Sequence, residues 1–274
     1  MTTTLRPTEP LQRNDDGTRS RRYQVCVNGR PVGVVHLGTH PVFGDTVARI
    51  SELRIEEADR RRGRGTVAAL AAEEVARGWG CRRIEVSVAG DAGPALRLAT
   101  TLGYVVRNRG MEKVLGAAPP GLPPGSRGRP LTEAEYGSWL VESHEGYVRS
   151  WAERGVPEAE ARAKSERDHA TLLPDGLRTP DVFLSVLEHE GIPVGTLWMA
   201  SREGRAYVYN VKTDAAHRGR GHGRTLMLLA EVQAIEAGYR AIGLNVFAGN
   251  APAERLYESL GYETRQYALY KTLL

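Results

Sequence analysis

The sequence predicts a mixed α/β protein made of two similar domains, each a twisted mixed β-sheet flanked by helices. Three observations support this: an internal duplication, a repeated order of strands and helices, and a proline- and glycine-rich segment between the two copies. Because strands alternate with helices in each copy, each half is expected to form layers of helix against sheet.

The duplication is clearest around two arginine–glycine segments. When Arg60 is aligned with Arg218, the sequence up to Tyr104 matches the sequence up to Tyr262 without a gap and with many identical positions. The repeat is as long as a domain, so it predicts two tandem domains rather than a solenoid.

Secondary-structure elements are expected in the same order in both halves. A β-hairpin comes first, followed by a third strand, the arginine–glycine loop, a helix, a strand, a short helix and a terminal strand. In the second half, Leu226, Leu229 and Ala230 recur at helical spacing, and Gly238 is expected to end that helix. Two additional amphipathic helices precede the second hairpin, and Thr132 with Glu135 predicts a capping box at the first of them.

The same patterns predict the domain boundaries. Residues 1–19 are expected to be a polar, disordered lead, and residues 20–116 a first domain. Residues 117–129 are predicted to be a linker because proline and glycine dominate them, and residues 130–274 to be a second domain.

Composition narrows the classes of partner and cofactor. The 274-residue chain has a net charge of only +4, which does not require a nucleic-acid partner, and it has no apolar run long enough for a membrane span. Its two cysteines, Cys26 and Cys81, cannot form a disulfide framework, so a cytoplasmic protein without a metal is expected. A monomer whose tandem domains form a pseudo-dimer is predicted, with a homodimer as the alternative.

Both arginine–glycine loops have the pattern R-x-x-G-x-G. The first copy has Arg60, Gly63 and Gly65, and the second has Arg218, Gly221 and Gly223. A glycine-rich turn between a strand and a helix places free backbone N–H groups at a helix N-terminus, where they can bind phosphates. The spacing differs from the Walker A and dinucleotide-binding patterns. A tight turn without a ligand is the simpler alternative.

A second motif follows the loop of the second half. The segment LNVFAGNAPAERLYESLGYE contains Asn250, Ala253, Tyr257 and Gly261 in a fixed order. Together with the strand VYNVKT and the loop, it resembles the two signatures of the GNAT superfamily of N-acetyltransferases. The resemblance covers the whole second half, and the first half from about residue 23. It implies acetyl-CoA as co-substrate and direct attack of an amine on the thioester in a ternary complex.

The resemblance also implies roles for individual residues. Tyr257 is expected to be the general acid that protonates the leaving CoA thiolate. Asn250 lies seven residues earlier and therefore on the same helix face, although it is also a plain N-cap candidate. The implied cofactor-binding residues lie on the strand, the loop and the short helix: Val211, Lys212, Thr213, Arg218, Gly219, Arg220, Gly221, His222, Gly223, Arg224, Thr225, Asn250, Ala253 and Tyr257.

The first half lacks the residues to which this chemistry is assigned. Ala92 and Ala99 occupy the positions of Asn250 and Tyr257, and neither alanine can donate a proton. The first half is therefore expected to be a degenerate, truncated GNAT domain. Its loop keeps the vestige of a CoA site, formed by Arg60, Gly63 and Gly65.

The acceptor site is less clearly marked. Five residues are candidates for binding the acceptor: Glu142, Tyr147, Trp198, Tyr207 and Tyr209. Tyr207 and Tyr209 share a strand face, but a neutral tyrosine is a poor base at neutral pH. Glu142, His144 and Glu145 are rivals for the general base, and a water molecule is another, so the base is left open.

Several functions compete at this stage. The aromatic content of the additional helices favours the primary amine of a small metabolite or peptide, including a natural product or its N-terminus. The alternatives are a protein Nα- or lysine acetyltransferase and, in another class, a non-catalytic acyl-CoA sensor. The segment SRGRP at Ser126 resembles an AT-hook core, which would bind the minor groove of DNA. A single copy within a linker is weak evidence, and no nucleic-acid partner is predicted.

Overall fold

The structure is a computed structural model that describes residues 2–41 and 43–273. Among these residues, the first half contains seven strands and two α-helices, in the order β1 (Thr3–Pro7), β2 (Gln12–Arg13), β3 (Arg19–Val27), β4 (Arg30–His40), β5 (Gly44–Ile55), α1 (Arg64–Gly78), β6 (Arg83–Ala89), α2 (Gly93–Thr101) and β7 (Val105–Val114).

The second half repeats this order after an additional strand and a helical hairpin. Its elements are β8 (Ser126–Pro130), α3 (Glu133–Ala152), α4 (Glu158–Leu172), β9 (Val182–His189), β10 (Ile192–Arg202), β11 (Arg205–Thr213), α5 (His222–Glu236), β12 (Ala241–Phe247), α6 (Ala251–Ser259) and β13 (Glu263–Thr272).

The chain folds into two compact units whose boundaries do not follow the linker. Unit 1 consists of Met1–Arg109 and Arg265–Leu274, and unit 2 consists of Gly110–Thr264. Most of β13, the last strand of the sequence, therefore belongs to unit 1. The end of β7, which precedes the linker, belongs to unit 2.

Unit 1 is a mixed sheet with helix α1 packed against it. The strands lie in the order β1, β3, β4, β5, β6 and β13, and β2 pairs with β3. Strands β5 and β6 run parallel, whereas β13 runs antiparallel to β6 with Tyr267 opposite Val88. The core contains Leu37 and Ile84 from the first half and Leu269 from β13, all fully buried. The last strand thus completes the hydrophobic core of this unit.

Unit 2 has a related sheet that also bears the additional helices. Residues 110–114 of β7 lie beside β12, followed by β11, β10, β9 and β8. Helix α5 packs on β10 and β11, and α3 packs on α4. The core holds Leu197, Leu226 and Ile242 together with Met111 from β7. A second apolar cluster, which includes Trp139, joins the additional helices to the sheet.

A buried ion pair ties the terminal strand into each unit. In unit 1, the Lys271 ammonium lies 2.6 Å from a carboxylate oxygen of Glu73, whose exposed fraction is 1%. In unit 2, the Lys113 ammonium lies 2.8 Å from both carboxylate oxygens of Glu231, which is 4% exposed. Each lysine comes from the other half of the sequence. A buried carboxylate needs a counter-charge, so these pairs help to specify the exchanged strands.

These observations change the expected boundaries in two places. The lead was expected to be disordered, but Thr3–Pro7 pair antiparallel with residues 23–27 of β3. This pairing satisfies the backbone of a polar segment without any local hydrophobic pattern. The second domain was expected to contain all of residues 130–274, but residues 265–274 lie in unit 1. Each half of the sequence thus gives its last strand, or part of it, to the other unit: β13 to unit 1 and the end of β7 to unit 2. The local sequence does not reveal this exchange, because β7 and β13 have similar residue patterns.

Two expectations about helix ends are confirmed. The carboxylate of Glu135 accepts hydrogen bonds from the Thr132 backbone N–H at 2.9 Å and from its hydroxyl at 2.8 Å, so it caps α3 as predicted. Gly238 follows α5 with a φ of 86°. Among the helices of the described residues, none combines the length and apolar composition that crossing a membrane requires.

The segment that resembles an AT-hook forms strand β8. Its two arginines, Arg127 and Arg129, each place a side-chain nitrogen 2.7 Å from a carboxylate oxygen of Glu188 on the neighbouring strand β9. Arg129 also bonds Glu135. These arginines therefore have structural partners within unit 2.

Candidate active site

The glycine loop of unit 2 turns directly into helix α5. Gly219 has a φ of 76° and Gly221, the N-cap residue, has a φ of 85°. Non-glycine residues rarely adopt these angles, so glycine permits the tight entry into the helix. No side chain caps this end of the helix. Backbone amides in the first turn of a helix generally lack intrahelical acceptors and can bind anions, although here the Arg224 N–H donates to the Gly221 carbonyl at 3.0 Å.

Strands β11 and β12 separate next to this loop. Within the described residues, they pair in parallel only from Ala206 to Val208 on β11. The register between β10 and β11 then skips Tyr209, because Trp198 lies opposite Asn210 while Met199 lies opposite Val208. This bulge turns β11 away from β12. The backbone of Val211–Thr213 therefore borders a gap that leads towards the loop.

Helix α6 presents two polar side chains to the gap. Asn250 caps the helix, and its side-chain oxygen accepts the Ala253 backbone N–H at 3.3 Å. Tyr257 follows two turns later, and both residues line the same cavity. Burial raises the pKa of the Tyr257 phenol. The phenol is therefore protonated at neutral pH and can donate a proton.

A cavity of about 400 Å³ extends from Asn250 and Tyr257 to the additional helices. Aromatic side chains from four elements form part of its wall: Tyr147 and Trp151 from α3, Trp198 from β10, Tyr207 and Tyr209 from β11, and Phe247 from β12. Trp198 is buried, stacks on Tyr209 at 5.2 Å and meets Trp139 edge-on at 5.6 Å. Four of the five predicted acceptor residues, Tyr147, Trp198, Tyr207 and Tyr209, thus line one cavity.

Helix α4 adds a charged group that the sequence analysis missed. One oxygen of the Asp168 carboxylate lies 2.5 Å from both the Lys164 ammonium and the Tyr147 hydroxyl. All three residues line the cavity. Burial raises the pKa of Tyr209. The positive charge of Arg202 lowers it, and the negative charge of Asp168 raises it further. The i,i+4 spacing of Lys164 and Asp168 was visible in the sequence, but it did not indicate which side of the helix faces the sheet.

His169 is a second residue that the sequence analysis missed. Its Nδ1 lies 2.8 Å from the Ser165 carbonyl oxygen and is therefore the protonated nitrogen, so Nε2 accepts the Ser143 hydroxyl at 2.9 Å. Burial lowers its pKa, which favours the neutral form of the ring. His144 stacks on it with ring centroids 3.9 Å apart. His169 forms part of the cavity wall.

The three residues considered as general base lie elsewhere. Glu142 is exposed and forms an ion pair with Lys212. His144 bonds the Ser165 hydroxyl at 2.9 Å, and Glu145 borders a separate surface groove. None of the three belongs to the described lining of the cavity, whereas Asp168 does.

Several side chains of the loop point away from the expected phosphate site. His222 is buried and packs against His189 and His217 with centroids 5.1 and 6.2 Å apart. Arg224 donates to the Ser259 hydroxyl at 2.6 Å, and Arg218 reaches the Thr213 carbonyl at 3.4 Å. Besides its backbone amides, the loop has one further arginine, Arg220, whose exposed side chain lines a surface cavity with Gly221.

Unit 1 keeps the shape of this site with other residues. A cleft of about 190 Å³ beside β5 and β6 is lined by Ala92 and Ala99. Its loop has Gly63 at a φ of 73°, but Arg61 stands in the place of Gly219 with a φ of 57°. Beneath this loop, buried Asp59 forms ion pairs with Arg30 and Arg64. The side chain of neither alanine can donate a hydrogen bond to a ligand.

Sequence comparison supports the relationship suggested by this geometry. The profile of the Acetyltransferase (GNAT) family matches residues 2–104 and 139–262. An uncharacterized N-acetyltransferase of Bacillus subtilis, YycN, is 29% identical over 151 residues, which covers 53% of this chain and 96% of YycN. A mycothiol acetyltransferase of Saccharomonospora viridis is 27% identical over 285 residues, covering 95% of this chain and 86% of that protein.

Solved structures share the fold over both halves. The structure of a GCN5-related N-acetyltransferase from Sphaerobacter thermophilus superposes with a TM-score of 0.55 and 20% sequence identity. The match covers 92% of this chain and 80% of that protein's chain. A tandem GNAT protein from the clavulanic acid biosynthesis pathway matches 94% of this chain and 84% of its own, with a TM-score of 0.50 and 21% identity. With family matches in both halves, this chain belongs to the GNAT family of acetyltransferases and contains two tandem GNAT domains.

Proposed function

We propose that unit 2 transfers the acetyl group of acetyl-CoA to the primary amine of a small metabolite or peptide. One observation carries the proposal: a single cavity joins Asn250 and Tyr257 at the strand gap to the aromatic and charged walls of α3 and α4. A transferase needs a proton donor near the thioester and an enclosed space for the acceptor. In unit 1, alanines replace the two polar residues, and no counterpart of α3 and α4 occurs among its described elements.

The residues of unit 2 suit acetyl-CoA. The amides at the start of α5 would hold the pyrophosphate, and the backbone of Val211–Thr213 borders a gap in which the pantetheine amides could pair. When bound, acetyl-CoA supplies a thioester that an amine can attack. A backbone N–H of β11 would then stabilise the developing negative charge on the carbonyl oxygen.

Two side chains are assigned to proton transfer. Tyr257 donates a proton to the departing sulfur. Its raised pKa keeps the phenol protonated until then. Asp168 holds the ammonium of the acceptor and accepts its proton, directly or through a water molecule. It is the carboxylate among the described residues that line the cavity.

The cavity already holds an ammonium group. Lys164 places Nζ 2.5 Å from Asp168 and 5.4 Å from the ring centroids of both Tyr147 and Trp151. Cations are stabilised by a carboxylate and by aromatic faces at such distances. An acceptor amine next to an apolar or aromatic group would find the same kinds of partner.

Acetyl transfer is expected to proceed without a cysteine intermediate. Both cysteines, Cys26 and Cys81, are buried in unit 1. The amine therefore attacks the thioester directly. Rapid quenching during turnover tests this step. A trapped acetyl thioester or ester of the enzyme that passes its acetyl group to the product in a chase would contradict it.

The test is thiol release from acetyl-CoA with a panel of amines. The panel contains arylalkyl amines, amino acids, short peptides, polyamines and the acceptor of mycothiol acetyltransferase. We expect release with amines that carry an apolar or aromatic substituent. Asp168→Asn should lower kcat/KM by about 100-fold, whereas Glu166→Gln, the same charge change on the exposed face of α4, should leave it near the wild-type value.

Other outcomes would favour the other functions. Release with protein N-termini or lysine-containing proteins but not with small amines would favour a protein acetyltransferase. Tight CoA binding without release on any amine would favour an acyl-CoA sensor.

The glycine loop provides a separate prediction for cofactor binding. Gly221→Ala is expected to cost about 1–2 kcal/mol of stability because alanine must adopt a left-handed conformation, and to weaken CoA binding because the amides of the loop shift. Gly238→Ala is the matched control, with a φ of 86° at the far end of α5, about 25 Å away. It should reduce the melting temperature similarly but leave CoA affinity unchanged in calorimetric titration. Equal loss of affinity in both variants would contradict the assignment.

A further inference from the structure

Lys164 is an amine of the protein itself inside the proposed acceptor cavity. The chain has four lysines. Lys113 and Lys271 are held by the buried carboxylates of Glu231 and Glu73, and Lys212 is paired with Glu142 at the surface. Lys164 is the lysine that lines the cavity shared by Asn250 and Tyr257.

The surroundings of Lys164 supply what an attacking amine needs. Its Nζ donates to the Asp168 carboxylate at 2.5 Å, so a proton acceptor is in direct contact. Its side chain is 15% exposed, which keeps the amine within the cavity wall. The flexible four-carbon stem allows Nζ to leave the carboxylate and move through the cavity.

We propose that unit 2 acetylates its own Lys164 when no acceptor fills the cavity. The inference rests on the proposed function, because it uses the same thioester and the same acid. It differs in the acceptor, which is a side chain of this chain. The acetylated lysine is a stable amide and does not pass its acetyl group on.

The reaction balances with the residues at hand. Asp168 takes one proton from the Lys164 ammonium, and the free amine forms a bond to the carbonyl carbon of the thioester. The carbon–sulfur bond breaks, and Tyr257 gives its proton to the sulfur. The nitrogen loses its second proton, which restores the Tyr257 phenol through water. The net products are acetyl-lysine, CoA thiol and the single proton held by Asp168.

Acetylation would change the cavity in two ways. The ammonium of Lys164 becomes a neutral amide, so its ion pair with Asp168 is lost. The acetyl group also takes up space in the cavity that Lys164, Trp151 and Tyr257 line. A bound acceptor and Lys164 therefore compete for the same place, and a saturating acceptor should protect Lys164.

The experiment uses the full-length protein incubated with acetyl-CoA and no amine, followed by peptide mass spectrometry. We expect acetyl-Lys164 to accumulate, and Tyr257→Phe to slow its formation by about 100-fold. Although Lys212 lies on the β11 segment beside the gap, its side chain is 42% exposed, pairs with Glu142 and is not among the described residues that line the cavity, so it serves as an internal reference for acetylation outside the cavity. A saturating amine found in the panel should reduce acetyl-Lys164 without affecting Lys212.

Three results would overturn the inference. Equal labelling of Lys164 and Lys212 that does not depend on Tyr257 would identify uncatalysed chemistry. Unlabelled Lys164 in an enzyme that acetylates added amines normally would refute self-acetylation and leave the proposed function intact. An enzyme that neither labels Lys164 nor acetylates any amine would refute both.

Discussion

Tyr257→Phe is expected to lower kcat by at least about 100-fold while CoA binding is retained. The substitution removes only the hydroxyl group, so the ring still packs against Tyr262 with centroids 6.0 Å apart. Without the hydroxyl, the CoA sulfur must leave as an unprotonated thiolate. Steady-state kinetics with the best amine of the panel, together with CoA titration, measures both quantities.

Tyr239→Phe is the matched control for this variant. Tyr239 follows α5 and packs against the core of unit 2, but it is not among the described residues that line the cavity. Its loss of a hydroxyl should leave kcat near the wild-type value. If both variants keep full activity, Tyr257 is not the acid.

A substitution in unit 1 tests which unit does the chemistry. Gly63→Ala places alanine at a φ of 73° and should cost about 1–2 kcal/mol of stability, without a change in kcat of the folded protein. If the folded Gly63 variant lost turnover and Tyr257→Phe did not, the assignment of the two units would be reversed.

Lys113→Met is expected to lower the free energy of unfolding by about 3–5 kcal/mol. Methionine keeps most of the apolar stem but removes the ammonium that contacts both oxygens of Glu231. The Glu231 carboxylate, whose residue is only 4% exposed, then loses its ion pair. A charge without this partner is costly in a low-dielectric interior. Urea denaturation of the variant and the wild type measures the loss.

The position of Lys113 makes this prediction a test of the strand exchange. Lys113 precedes the linker, yet its partner Glu231 lies 118 residues later in unit 2. Hydrogen exchange should therefore show unit 2, not unit 1, opening more readily in the variant. Protection lost only in unit 1 would contradict the placement of β7.

Two further variants complete the comparison. Arg162→Met breaks the exposed pair with Glu158 and should cost less than about 1 kcal/mol. The double variant Lys113→Met with Glu231→Leu removes both charges and should recover much of the lost stability, because replacing a whole buried pair by apolar groups is often neutral. If the double variant is as unstable as Lys113→Met alone, the loss of stability comes from lost packing and not from the uncompensated charge of Glu231.

Local motifs made the proposed cofactor site predictable. The R-x-x-G-x-G loop and the Asn250–Tyr257 pair each lie within a few residues of chain, and their geometry follows from helix periodicity and glycine conformation. The structure places Asn250, Val211 and Tyr257 on one cavity. The same reasoning could not identify Asp168, because its role depends on which face of α4 meets the sheet.

By itself, the sequence determined that the chain is a duplication, that both halves are GNAT domains, and that Asn250 and Tyr257 have alanine counterparts in the first half. Only the tertiary structure decided that β13 completes unit 1, that the end of β7 joins unit 2, and that Lys164 and Asp168 line the cavity. The reason is physical. Turns and helix faces follow from neighbouring residues, whereas strand partners join through backbone hydrogen bonds that every residue type except proline can donate. The choice between two similar terminal strands rests on distant contacts, such as Lys113 with Glu231 and Lys271 with Glu73.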